Sequence, residues 1–228
     1  MNPVVKRIVT GLAVAAAVIL AILFAPPLAI RVVCLVLAVF AMLEVCQLTG
    51  IKVRELRAAG HSAALAYEVQ ALFSLALILL FATLSVIAAR HGNMMLLYVI
   101  AIVKFSDTGG FAFGLTSAKL MKGGNHKLCP TVSPNKSWEG LLGSVVFSTA
   151  VSCAFVPVTH FGFGKAAAFG VAAALVGTAG DLVESKFKRW VGVKDSSTMK
   201  ITNGLGGFLD MFDSLLFAPS LMLPFLGS

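Results

Sequence analysis

The stretch LAIRVVCLVLAVFAMLEVCQL, residues 28–48, decides the fold. It is a nearly unbroken apolar run about 20 residues long, the length an α-helix needs to cross the hydrocarbon core of a bilayer. Working outward, six more such stretches are predicted, at 8–25, 69–89, 94–115, 138–158, 166–183 and 205–226. Pro26-Pro27 and Gly92-Asn93 mark tight turns between neighbours. The whole chain of 228 residues is 58% hydrophobic and only 12% charged, where a soluble domain carries about 25% charge. Its mean hydropathy is +0.94. The sequence therefore predicts an all-α, polytopic transmembrane bundle of about seven spans. A cleaved leader is not expected, because the first apolar stretch is long, lacks a small-residue cleavage site and is followed at once by further spans.

Charge gives the expected orientation. Lys6 and Arg7, then Lys52, Arg54 and Arg57, then Lys119, Lys122, Lys127 and Lys136, then Lys186, Lys188, Arg189, Lys194 and Lys200 all fall on one side of the predicted spans. The other side holds only Arg31, Arg90 and Lys165, and Lys104 lies inside a span. This asymmetry places the N-terminus and both long polar loops in the cytoplasm, with a bacterial inner membrane as the expected location. The net charge of +8 is explained by topology, and no aromatic-rich basic patch points to nucleic acid. Cys34, Cys46, Cys129 and Cys153 form no CxxC pair and read as small packing residues. His61, His91, His126 and His160 are scattered without metal-ligand spacing. There is no internal repeat.

The acidic residues are the unusual ones. Asp181, Glu184, Asp195, Asp210 and Asp213 lie in or beside the last two apolar stretches. A carboxylate at membrane depth costs at least ~2.5 kcal/mol, so such groups face a polar cavity, pair with cations or bind metal. Three constellations follow. In Lys104-Phe-Ser-Asp107-Thr-Gly109-Gly110, Lys104 and Asp107 are three apart and pair if helical, and the glycines admit a close backbone or ligand. A structural ion pair at a helix kink would use the same residues. In the loop from His126 to Gly140, Ser133, Lys136 and Ser137 could hold phosphate oxygens, with Glu139 orienting Lys136. An ordinary basic loop with Trp138 at the membrane interface is the plainer reading. The third constellation runs from Gly180 to Ser214, where carboxylates interleave with lysines and glycines. Such oxygen-rich sites suit Mg²⁺, which prefers one or two carboxylates plus substrate phosphates. Internal salt bridges are the alternative.

At these residues the chain resembles the phosphatidate cytidylyltransferases, or CDP-diacylglycerol synthases. Their signature S-x-x-K-R-x4-K-D-x-[GSA] is matched by Ser185, Lys188, Arg189, Lys194, Asp195, Ser196 and Ser197. Their closing L-D-R-x-D-S is matched by Leu209, Asp210, Asp213 and Ser214, after Gly206 and Gly207. Asp107-Thr108-Gly109 resembles their D-T-G stretch, and Ser133-Pro-Asn-Lys136-Ser137-Trp-Glu139-Gly140 their S-P-K-K-T-W-E-G. The resemblance spans about the last 125 residues. Three positions depart from it: Asn203 and Leu205 replace a proline and a histidine, and Met211 replaces an arginine.

The resemblance implies a reaction of CTP with phosphatidic acid in the lipid membrane. It implies Mg²⁺ on Asp181, Asp210 and Asp213, with a second cation left open. Lys188, Arg189, Lys194 and Asp195 would be catalytic, the basic groups holding the triphosphate. Asp107, Ser133, Lys136, Ser137, Glu139, Ser185, Ser196, Gly206 and Gly207 would bind substrates. Residues 1–92 form an N-terminal region of three predicted spans and 93–228 the catalytic region. A homodimer is compatible with this pattern. Two other readings compete: a CTP-dependent polyprenol or phytol kinase, and a non-catalytic homologue that has lost the turn residues.

Overall fold

The computed structural model describes residues 16–122, 124–193 and 207–226. Helix α1 covers 16–24 among these residues, and Pro26 and Pro27 break the chain before α2 (Pro27–Ala58). Gly60 and Gly92, both at positive φ, carry the turns into α3 (Ala64–His91) and α4 (Asn93–Leu120). A short antiparallel hairpin follows, β1 (Lys127–Cys129) on β2 (Ser133–Ser137), pairing Lys127 with Ser137 and Cys129 with Ser133. Then come α5 (Trp138–Ala154), α6 (Val156–Thr159) and α7 (Phe163–Val191). The chain ends in α8 (Phe208–Phe212), α9 (Ala218–Met222) and a 3-10 turn, Leu223–Phe225.

Among the described residues, α2, α3, α4 and α7 are long and apolar enough to cross a membrane, and α5 is a shorter apolar helix. The protein is an all-α polytopic membrane bundle, with the hairpin as a small addition. Large apolar side chains such as Phe24, Leu28, Leu72 and Leu120 point outward from it. In water this would be unfavourable; against lipid it is the expected outer face. Helices α2, α3, α4, α7, α8 and α9 share one apolar core, with Leu48, Leu77, Val99, Ala173 and Leu216 among its buried members. The four cysteines are free: Cys34 is buried, Cys129 and Cys153 are half-buried, and Cys46 is exposed rather than packed inside.

Three expected spans differ. The stretch at 205–226 is not one helix: within it, α8 and α9 have five residues each, separated by a turn at 213–217. Broken backbone is tolerated at membrane depth only where protein or a polar cavity covers it, and α7 provides that cover. A Cβ at Gly180 would stand 2.6 Å from the Asp213 carbonyl oxygen, so only glycine lets the turn rest on α7. The stretch at 138–158 stops at Ala154, where Pro157 starts the separate turn α6. The stretch at 166–183 runs on to Val191, so Glu184, Ser185, Lys186, Lys188 and Arg189 are helical rather than in a loop. Gly192, at φ 88°, ends that helix.

Helices α4 and α5 pack with backbones almost touching. A Cβ at Gly143 would lie 2.5 Å from the Gly109 carbonyl oxygen and 2.5 Å from Phe113 Cβ. Small residues at such a crossing are the usual way membrane helices approach closely. Buried hydroxyls fasten the same face: Ser148 donates to the Ile102 carbonyl at 3.0 Å, and Tyr98 and Ser152 bond at 2.8 Å. Gly143→Ala is expected to destabilise the protein by about 1–3 kcal/mol through overpacking. Gly50→Ala, with nothing within 4 Å of the added carbon, is expected to be neutral or slightly stabilising. Melting temperatures of the two variants in detergent micelles check this.

Candidate active site

A cavity of about 410 Å³ opens where α4, the hairpin, the start of α5, α7 and α8 meet. Its size falls in the range of about 300–1,000 Å³ usual for small-molecule sites. Its lining includes the polar side chains of Lys104, Asp107, Ser133, Asn135, Lys136, Ser137, Asp181, Asp210 and Asp213, and the apolar ones of Phe111, Leu128 and Leu141.

Each polar group is placed by a local cause. Lys104 and Asp107 lie three residues apart on α4 and pair at 3.6 Å. Lys104 Nζ also donates to the Met211 carbonyl at 2.9 Å and to Ser214 Oγ at 3.2 Å. Ser214 Oγ in turn donates to Asp107 Oδ2 at 2.7 Å. This network fixes the turn after α8 on the middle of α4. Ser137 caps α5, its Oγ accepting the Gly140 N–H at 3.1 Å. The hairpin places Lys136 against Asp181 of α7, and the two form an ion pair.

Helix α7 carries a ladder of charges on one face. Asp181, Glu184, Ser185 and Lys188 follow the three- and four-residue spacing that brings side chains together on a helix. Ser185 Oγ donates to Asp181 Oδ1 at 3.3 Å. Lys188 Nζ pairs with Glu184 Oε2 at 2.7 Å and with Asp210 of α8. Asp210 also accepts the Gly207 N–H at 3.2 Å, closing the first turn of α8.

Carboxylate oxygens of Asp181, Glu184 and Asp213 all lie within 4.8 Å of one another. Glu184 is fully buried, and its Oε1 has no hydrogen-bond partner among the described residues. Around the cavity, five carboxylates (Asp107, Asp181, Glu184, Asp210, Asp213) face three lysines (Lys104, Lys136, Lys188). The donor set is all oxygen and has an excess of negative charge, which fits a hard divalent cation such as Mg²⁺.

The sequence model of the Cytidylyltransferase family matches residues 61–228. The chain belongs to that family. Over 134 residues it is 42% identical to the phosphatidate cytidylyltransferase of Staphylococcus aureus (strain COL), covering 58% of this chain and 48% of that one. The phosphatidate cytidylyltransferase of Staphylococcus haemolyticus (strain JCSC1435) is 40% identical over 129 residues, 56% of this chain and 46% of the relative. That of Staphylococcus epidermidis (strain ATCC 12228 / FDA PCI 1200) is 40% identical over 135 residues, covering 58% and 48%. The aligned part spans about half the length of these curated relatives.

Within this member of the cytidylyltransferase family, seven of the expected site residues line the one cavity: Asp107, Ser133, Lys136, Ser137, Asp181, Asp210 and Asp213. Ser185, Lys188 and Gly207 stand behind it, bonded to its carboxylates. Arg189 is exposed on the last turn of α7. Lys194, Asp195, Ser196 and Gly206 lie outside the described residues. Glu139 does not orient Lys136. It turns to His126, accepting the backbone N–H at 3.2 Å and meeting Nδ1 at 2.6 Å. The His126 ring hydrogen bond holds its carboxyl down at about 2. The reason is local: β1 and β2 bring His126 beside the first turn of α5, while Lys136 points across to α7. Glu184 is outside the expected ligand set because the expected span ends at 183; the continuation of α7 to Val191 puts it on one helix face with Asp181.

Lys188 is 12% exposed and holds two carboxylates at once. Removing one partner of a buried charge group leaves the others uncompensated. Lys188→Met is therefore expected to cost about 3 kcal/mol or more in metal-free protein, read as a lowered melting temperature. A much smaller loss is expected for Lys186→Met, on the exposed face of α7.

Proposed function

We propose that this chain transfers the cytidylyl group of CTP to phosphatidic acid, forming CDP-diacylglycerol and pyrophosphate. The observation that carries the reading is the mixed lining of the cavity. Its lysines, serines and carboxylates suit a nucleoside triphosphate. The lining also includes Phe111, an apolar side chain that is 71% exposed on the surface of the bundle. A lipid can approach past such a lip from the bilayer while the nucleotide arrives from water. The family membership and the names of the relatives support the same reading.

In the proposed step, a phosphate oxygen of the lipid bonds to the α-phosphorus of CTP. The bond from that phosphorus to the oxygen bridging to the β-phosphate breaks, and pyrophosphate leaves with the electron pair. No general base is required, because a phosphate monoester has its second ionisation near pH ~6 and is largely dianionic at neutral pH. Two anions must be brought together, so charge neutralisation dominates the barrier. Lys136 and Lys104 face the cavity and would hold phosphate oxygens, with Ser133 and Asn135 beside them as donors. Asp181 and Asp213, with Glu184 behind them, would hold Mg²⁺, and Asp210 would steer Lys188. Bound Mg²⁺ supplies Lewis-acid polarisation and neutralisation of phosphate charge. Lys194, Arg189 and Asp195 keep the roles inferred from their motif. Residues 93–228 would carry the chemistry, and the clustered Lys and Arg support the reading that the polar end of the bundle would face the cytoplasm of a bacterial cell.

CTP labelled at the α- or the γ-phosphorus distinguishes the chemistry. With phosphatidic acid and a polyprenol in mixed micelles, α-label is expected in the lipid product and γ-label in released pyrophosphate. Asp181→Asn is expected to lower this transfer by on the order of a hundredfold. γ-Label in a lipid product would make the protein a kinase and overturn the proposal.

A further inference from the structure

A carboxylate in α2, outside the part of the chain matched to the family, bears on the site from the far side. Glu44 is 1% exposed, inside the apolar core of a membrane-crossing helix. Burying a charged or polar group at that depth is costly unless it is bonded to something specific. Its Oε2 accepts the Leu209 N–H of α8 at 2.8 Å. One turn earlier on the same face, Phe40 stacks on Phe208, with ring centroids 5.3 Å apart and planes 8° apart.

These two contacts grip α8 where it needs support. A helix of five residues cannot sustain itself, because nucleation costs more than so few hydrogen bonds return. The first N–H groups of a helix have no partner within it, and Leu209 is among them. Glu44 supplies that partner. Asp210 follows Leu209 directly, and Asp213 ends the helix. The Lys188–Asp210 pair holds α8, the Lys104–Ser214 contact holds the turn after it, and Glu44 adds a hold at the Leu209 amide.

We propose that Glu44 is a positioning residue: by anchoring the Leu209 amide, it sets where Asp210 and Asp213 stand in the cavity. The proposal rests on reading that cavity as the active site. It assigns the N-terminal helices a part in the chemistry, although none of their residues lines the cavity among the described ones. The Leu209 amide needs an acceptor, which glutamine keeps and leucine lacks, so glutamine should substitute in this role and leucine should not.

The test compares Glu44→Gln and Glu44→Leu with the unaltered chain by hydrogen–deuterium exchange and by Mn²⁺ binding, read by electron paramagnetic resonance. Both are done in micelles without CTP or lipid substrate, so a failure of the nucleotidyl-transfer reading leaves the test intact. In Glu44→Leu, exchange is expected to rise in the peptide spanning 207–213 and to stay unchanged in α3 and α5. Mn²⁺ affinity is expected to fall about tenfold or more, the usual effect of losing a group that orients metal ligands. Glu44→Gln is expected to stay within about threefold of the unaltered chain. Three results would overturn the proposal. Unchanged exchange and affinity in Glu44→Leu would remove the anchor. Exchange rising through the whole bundle would make Glu44 a general packing group. Glu44→Gln behaving like Glu44→Leu would show that the charge, not the acceptor, is what matters.

Discussion

The constraint on which the rest depends is charge at depth in a bilayer. Asp107, Asp181, Glu184, Asp210 and Asp213 converge on a cavity cut into an apolar bundle. Carboxylates in that setting persist only if cations answer them. Lys104, Lys136 and Lys188 answer three of the charges. The remaining excess is the size one divalent ion would offset. This mixture of charges is what would let the cavity gather polyphosphate and metal together.

Holding these groups in place takes unusual backbone proximity. Gly109 and Gly143 let α4 and α5 touch, which brings the serines and Lys136 of the hairpin over the middle of α4. Gly180 lets the turn after α8 lie on α7, so Asp213 arrives next to Asp181 and Glu184. A Cβ at any of these positions would stand within about 2.6 Å of the facing backbone, so larger residues would push the elements apart. The site is thus assembled from two close approaches, marked by three glycines, with an anchored short helix completing it.

Much of this was legible in the sequence. The apolar runs gave the bundle because a span needs length and apolarity, and both are local properties. Lys104 with Asp107 was readable for the same reason, as spacing on one helix. The residues of the cavity wall were recognisable from motif resemblance. What was not legible depended on tertiary contacts. The apolar composition of 205–226 resembles a span, yet a backbone break buried against glycines leaves no mark in hydropathy. Glu139 and Lys136 are near in sequence, but the hairpin sends them to different partners. Glu184 is distinguished from Asp210 only by which of them the fold brings to Asp181 and Asp213. Glu44 lies 165 positions before its partner amide, with nothing local to signal the contact.

The most direct test of the central claim is anomalous diffraction from crystals of the protein grown in lipid and soaked in Mn²⁺. The account predicts a peak bounded by Asp181, Glu184 and Asp213, at oxygen distances of about 2.0–2.3 Å. Well-ordered crystals with no peak there, or with manganese only at residues away from the cavity, would contradict it.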